Sequence, residues 1–181
     1  MKIIDRFFMK TRFLLFTLSI TLFGLSGSNG ADFQPDLSIG DSPTALKGDN
    51  KYKNSGQKNT LRLSDRQSQN DFFVGVENDG DNPDQVKLRG RKGNKHFRID
   101  YFDQSNGGAN VTAAIAKGRY VTAELAPAER IIIRGEIEPK RHGKGKGGKR
   151  SAIRVKGTSV NKASAKDQVR LTVITPKEPK S

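Results

Sequence analysis

Cysteine and tryptophan are absent from all 181 residues, and histidine occurs only twice. Without cysteine there is no disulfide, no Cys-ligated zinc, no thiol nucleophile and no lipid attachment through an N-terminal thiol. A domain of this chain placed in an oxidising compartment therefore rests on its core alone. Without tryptophan there is no indole on which a sugar ring could stack. His96 and His142 have no spacing to a carboxylate cluster, so no zinc site is expected. A Gly-x-Ser-x-Gly elbow is missing too, which removes the usual signature of serine catalysis, and no enzyme or cofactor is expected. Long apolar runs are also missing. The apolar stretch of the N-terminus, Phe13 to Leu25, has 13 residues without a charge, and at ~1.5 Å each these cover only about 20 Å of a bilayer core roughly 30 Å thick. Negative charge is scarce as well: 33 Lys and Arg stand against 19 Asp and Glu, a formal +14.

What the N-terminus does have is order. Lys2, Arg6, Lys10 and Arg12 precede the apolar run against a single Asp5, and Ser26 to Gly30 are small or polar. A basic start, a short apolar middle and small residues before a cut make a secretory signal peptide, with cleavage near Gly30. The expected product is secreted or extracytoplasmic, with no transmembrane span after processing. Removing 1–30 leaves 151 residues with net charge +11, enough for one domain with a core of its own.

From Ala31 onward the dominant period is two, as strands require. "DFFVGVEN" sets Phe72, Val74 and Val76 against Phe73, Gly75 and Glu77; "QVKLRG" sets Val86 and Leu88 against Lys87 and Arg89. "HFRIDYF" alternates Phe97, Ile99 and Tyr101 with His96, Arg98 and Asp100, and "ERIIIRGEIE", "AIRVK" and "QVRLTVI" repeat the pattern. Turn chemistry separates them in "ENDGDNPD", "RGRKGN", "QSNGGAN" and "APAE". "VTAAIAKG" offers at most one helical turn. Short alternating strands with Gly, Asn and Asp between them predict an all-β, two-sheet immunoglobulin-like (Greek-key) sandwich of about 7–9 strands over 31–174. The tail from Thr175 to Ser181 is expected to be disordered.

"PDLSIG", "GDNKYKNSGQ", "FFVGVENDGDNPDQVKLRG", "FRIDYFDQSNGGANVTAAIAKGRYVTAELAP" and "GTSV…DQVRLTV" follow one another from Pro35 to about Val173. In this succession the chain resembles the immunoglobulin-like β-sandwich modules repeated in large bacterial cell-surface and secreted proteins. The resemblance implies an adhesion or spacer module with no catalytic residues. Two departures stand out. Ala128 occupies the place of the Gly in a Leu-x-Pro-Gly turn, and a basic stretch enlarges a connection that is ordinarily short.

That stretch is "PKRHGKGKGGKRSAIRVK". Six of the eleven residues from Lys140 to Arg150 are Lys or Arg, and four of the other five are Gly. The resemblance places "FFVGVEN" and "RIIIRGEIE" in one sheet, and "QVKLRG", "HFRIDYF", "AIRVK" and "QVRLTV" in the other. The first would show a mixed or acidic face with Phe73 and Ile132. The second would show Lys87, Arg89, His96, Arg98, Arg154, Lys156 and Arg170. Together with Lys140, Arg141, Lys144, Lys146, Lys149 and Arg150, this basic face forms the candidate site for an anionic polymer held by charge without sequence readout. Acidic polysaccharide, lipopolysaccharide and extracellular DNA all qualify. In the competing reading, the partner is another envelope protein and the charge serves solubility. Whether the basic loop from Arg89 to Lys95 meets the Lys140 stretch depends on whether "VTAAIA" crosses the sandwich. Glu77, Asp79, Asp81 and Asp84 suggest calcium, but Asn82-Pro83 interrupts the ligand series and the residues are those a strand-to-strand turn needs; no metal is expected.

Overall fold

The computed structural model describes residues 31–52, 57–63, 70–140 and 150–174. The expected signal peptide, Arg141, His142, Lys144, Lys146, Lys149 and the tail lie outside the described residues. The strands are β1 (Pro35–Gly40), β2 (Lys58–Arg62), β3 (Asn70–Asn78), β4 (Val86–Arg89), β5 (Phe97–Asp103), β6 (Ala109–Asn110), β7 (Tyr120–Val121), β8 (Arg130–Pro139), β9 (Arg150–Ser159) and β10 (Lys166–Ile174), with one short helix, α1 (Thr112–Lys117). They form two five-stranded sheets, in the orders β1-β3-β8-β5-β6 and β2-β10-β9-β4-β7. All pairs are antiparallel except β10 with β2.

The alternation decides which side of each strand is buried. Phe72, Val74 and Val76 of β3 face Leu88, Ile153, Val169 and Leu171 from the second sheet within one apolar cluster. Register keeps like with like: Val74 lies opposite Ile133, Ile99 opposite Ile137, and Val169 opposite Val155. The Phe72 and Tyr101 rings meet edge to face at 6.1 Å, and each large side chain taken from water contributes about 1.5–3 kcal/mol. The Tyr101 hydroxyl, buried with its ring, donates to Arg91 O at 3.0 Å.

Ten strands exceed the 7–9 expected. Two of the additional ones, β6 and β7, are only two residues long. The third, β2, carries polar Asn59 on its buried side, so hydrophobic alternation does not mark it. α1 is the helical turn of "VTAAIAKG": it buries Ile115 and stops at Gly118, whose φ of 66° is left-handed.

A larger correction concerns β5. It pairs with β8 in the first sheet, not with β4, β9 and β10. Its outward residues explain the choice: Arg98 lies opposite Glu138 and pairs with it, Phe102 lies opposite Arg134, whose guanidinium covers its ring, and the like-charged Asp100 and Glu136 are offset by Arg98 and Arg134. Cross-strand opposite charges stabilise a pair and like charges oppose it, so β5 fits the acidic β8 better than a sheet of lysines and arginines.

Candidate anion-binding face

The strands of the first sheet carry seven carboxylates and three cationic side chains; those of the second carry nine cations and one carboxylate. That one, Asp167, is 4% exposed and turns inward. The nine cations, Lys58, Arg62, Lys87, Arg89, Arg150, Arg154, Lys156, Lys166 and Arg170, are all exposed. Among the described residues none of them forms an ion pair. On the first sheet every arginine does. Arg98 bridges Asp100 and Glu138 at 2.9 Å each, and Arg134 reaches Asp71 at 3.2 Å and Glu136 at 3.4 Å while lying 4.5 Å over the Phe102 ring. Arg130 bridges Asp49 and Glu77.

Register arranges the free cations in rows. Lys58, Arg170 and Arg154 stand abreast on β2, β10 and β9, at ~4.8 Å per strand. One step along, Gln168, Lys156 and Arg89 stand abreast on β10, β9 and β4. Two surface depressions follow these rows. One, of about 520 Å³, is lined by Arg89, Arg91, Lys92, Arg154 and Lys156. The other, of about 310 Å³, is lined by Lys58, Arg154, Gln168 and Arg170. They share Arg154.

Of the residues expected at the site, Lys87, Arg89, Arg154, Lys156 and Arg170 lie on this face. Arg98 does not: it sits on the first sheet, neutralised by its two carboxylates. His96 flanks the same strand and is half-buried. Lys140 is exposed at the end of β8, where its N–H donates to His96 O at 2.8 Å and its Nζ to Asn94 O at 2.9 Å. Arg150 opens β9 beside Ile174, so the basic stretch connects the two sheets and leads into the cationic face. Lys58 was not singled out by alternation, since its strand has only one apolar residue, Leu61.

The Arg89–Lys95 loop lies at the same end as Lys140. β4 runs antiparallel to β9, ending at Arg89 opposite Lys156, β5 starts at Phe97 opposite Pro139, where β8 ends, and Lys140 Nζ donates to Asn94 O. The crossing that decides this is made by β6 and α1, which bring Ile115 O to within 3.2 Å of Gly90 N.

The carboxylates of "ENDGDNPD" do not converge. Asp84 accepts from Gln85 N–H and Asn161 Nδ2, Asp79 from the Tyr52 hydroxyl, and Asp81 is exposed. Glu77 instead gathers with Asp36 and Asp49, their oxygens within 4.8 Å of one another, and the Arg130 guanidinium supplies positive charge there. Burial, and then repulsion from Asp79, Asp167 and Asp49, pushes the Asp36 carboxyl up to about 7, against a lowering bond from Asn50 N–H. Phe73 and Ile132 are half-buried, and the exposed large apolar side chains among the described residues are Val121 and Val160.

No family model matches the chain, and no curated protein matches it. Among solved structures, the fold is similar to a secreted serine protease, VesC from Vibrio cholerae, at 10% identity and a TM-score of 0.40 over 66% of this chain and 22% of the protease. It is similar to the N-terminal domain of PorA at 13% identity and a TM-score of 0.42, covering 78% of this chain and 97% of that domain. A PapD-like domain of human CEP192 matches at 10% identity and a TM-score of 0.42, over 92% of this chain and all (100%) of that one. The molecule is a two-sheet β-sandwich, as its strand order shows. Among the described residues no helix is long and apolar enough to cross a membrane.

Proposed function

We propose that this is a secreted, non-catalytic β-sandwich module that holds an anionic envelope or matrix polymer against the outer face of β2, β10, β9 and β4. The segregation of charge carries the reading: nine cations without an ion-pair partner among the described residues on one sheet, and paired arginines on the other. Solubility alone does not call for such separation, because mixed signs serve it equally well. Arg and Lys side chains on an open sheet attract sulfate, carboxylate and phosphate polymers without sequence preference, and they release counterions as they do so. Lys140 and Arg150 extend the face at its end, with Arg141, Lys144, Lys146 and Lys149 between them in sequence. Secretion rests on the basic, apolar and small-residue pattern of Met1 to Gly30.

The test is retention on immobilised heparin and on DNA as salt is raised. The wild type should elute late, and a variant with Arg89, Arg154, Lys156 and Arg170 changed to Ser should elute early with an unchanged circular dichroism spectrum. Each phosphate or sulfate contact removed should lower the slope of log affinity against log salt by about one. Equal elution of the two proteins at low salt would refute the reading.

A further inference from the structure

We propose, resting on the reading above, that the ligand is a single acidic polysaccharide chain lying across the strands, with Arg154 held between two successive charged sugars. The two depressions meet at Arg154, one reaching to Lys58 on β2 and the other to Arg89 and Lys92 beyond β4. Four strands at ~4.8 Å spread these cations over about 14 Å, more than one sugar ring covers. Volumes of about 520 and 310 Å³ fall in the range of sites that take small molecules or single units of a chain.

Stability alone argues against this arrangement of cations. Arg170 lies directly opposite both Arg154 and Lys58, and Lys156 directly opposite Arg89. Like charges facing across strands destabilise a sheet, and among the described residues no carboxylate on the face offsets them. A polyanion threaded along the rows removes the repulsion.

The same rows favour a sugar polymer over nucleic acid. Single-stranded nucleic acid is held by aromatic platforms on which bases stack, and among the described residues neither depression has an aromatic side chain in its lining. The neighbouring row instead offers the hydroxyls of Thr60 and Thr172, and Gln168 contributes an amide. Such groups both donate to and accept from sugar hydroxyls, which a phosphodiester backbone of DNA does not carry.

Size-fractionated heparin oligosaccharides, from disaccharide to octasaccharide, test the proposal by calorimetric titration of the purified protein at low salt. Binding should tighten by about tenfold or more once the oligosaccharide reaches both depressions, because the second contact becomes intramolecular. Arg154→Ser should abolish this step. Lys162→Ser, exposed in the turn between β9 and β10 and outside the face, should leave it in place. Single-stranded DNA of equal charge should compete poorly. A smooth rise of affinity with length, an Arg154→Ser effect no larger than that of Lys162→Ser, or equal competition by DNA would each overturn the proposal while leaving polyanion binding intact. Failure of even long heparin to bind would overturn the underlying reading with it.

Discussion

The backbone N–H of Leu37 on β1 donates a 2.8 Å hydrogen bond to Oδ2 of Asp167 on β10, joining the edge strand of the first sheet to the second sheet across 130 residues of sequence. Gln57 completes the bridge: its Nε2 donates to Leu37 O at 2.9 Å and also to Asp167. The outer edge of β1 is thus closed by side chains, where an unpaired edge would template further pairing. The arrangement leaves Oδ1 of both Asp36 and Asp167 buried without a partner.

That burial predicts an unusual pH dependence. Folded Asp36 takes up its proton at about 7 against 3.8 for the free side chain, and burial raises Asp167 in the same direction. The folded state therefore binds more protons than the unfolded chain across this window. The stability so conferred is full below 3.8 and is lost as pH rises through about 7. Thermal melts should show a higher midpoint at pH 5 than at pH 8. Asp36→Asn, which keeps an acceptor for Asn50 N–H, should flatten the difference and stabilise the protein at pH 8.

Ala128 adopts φ 62°, in the left-handed region where a Cβ costs roughly 1–2 kcal/mol. The turn is held by Ala128 N–H donating to Asn78 O at 2.7 Å and by Glu129 N–H donating to Ala126 O at 3.0 Å. Ala128→Gly should stabilise the fold by a net ~0.5–1 kcal/mol after the extra unfolded-state entropy of glycine, measured by chemical denaturation. Asn50, at φ 55°, should gain less from the same change, since Asn tolerates this region.

Gly135, mid-strand in β8, lies under the Phe72 ring, so an added methyl would collide with it. Gly135→Ala should cost about 1–3 kcal/mol through overpacking. In the background of Phe72→Leu, where the ring is gone, the penalty should shrink. A double-mutant cycle reads the coupling directly.

Arg170 separates stability from binding. Replacing it with Glu removes two cross-strand repulsions and creates attractions to Lys58 and Arg154, which should stabilise the unliganded fold by a few tenths to ~1 kcal/mol at low salt. The gain should fade as salt screens the charges. The same variant should bind heparin more weakly than the wild type. Loss of both stability and binding would mean that the side chain matters chiefly for packing.

Much of this was legible in the residues themselves. A period of two names the inward side chains of β3, β4, β5, β8, β9 and β10 before any partner is known, because each strand's pleat imposes it locally. The same period places Lys87, Arg89, Arg154, Lys156 and Arg170 outward, and the displaced glycine of "LAPA" marks the one strained turn alanine. What alternation does not encode is which sheet a strand joins. β5 went to β8, taking Arg98 from the cationic face, because pairing is settled by side chains far apart in sequence: Arg98 with Glu138 and Phe102 with Arg134. Nor could a pattern read from apolar residues find β2, whose inner side is Asn59 and whose neighbour Gln57 is spent on the β1 edge. Lys58 reached the site only when β10 drew that polar strand alongside it. Local sterics and solvent preference set the faces; long-range charge and hydrogen bonding, available only in the folded chain, decided which faces became one surface.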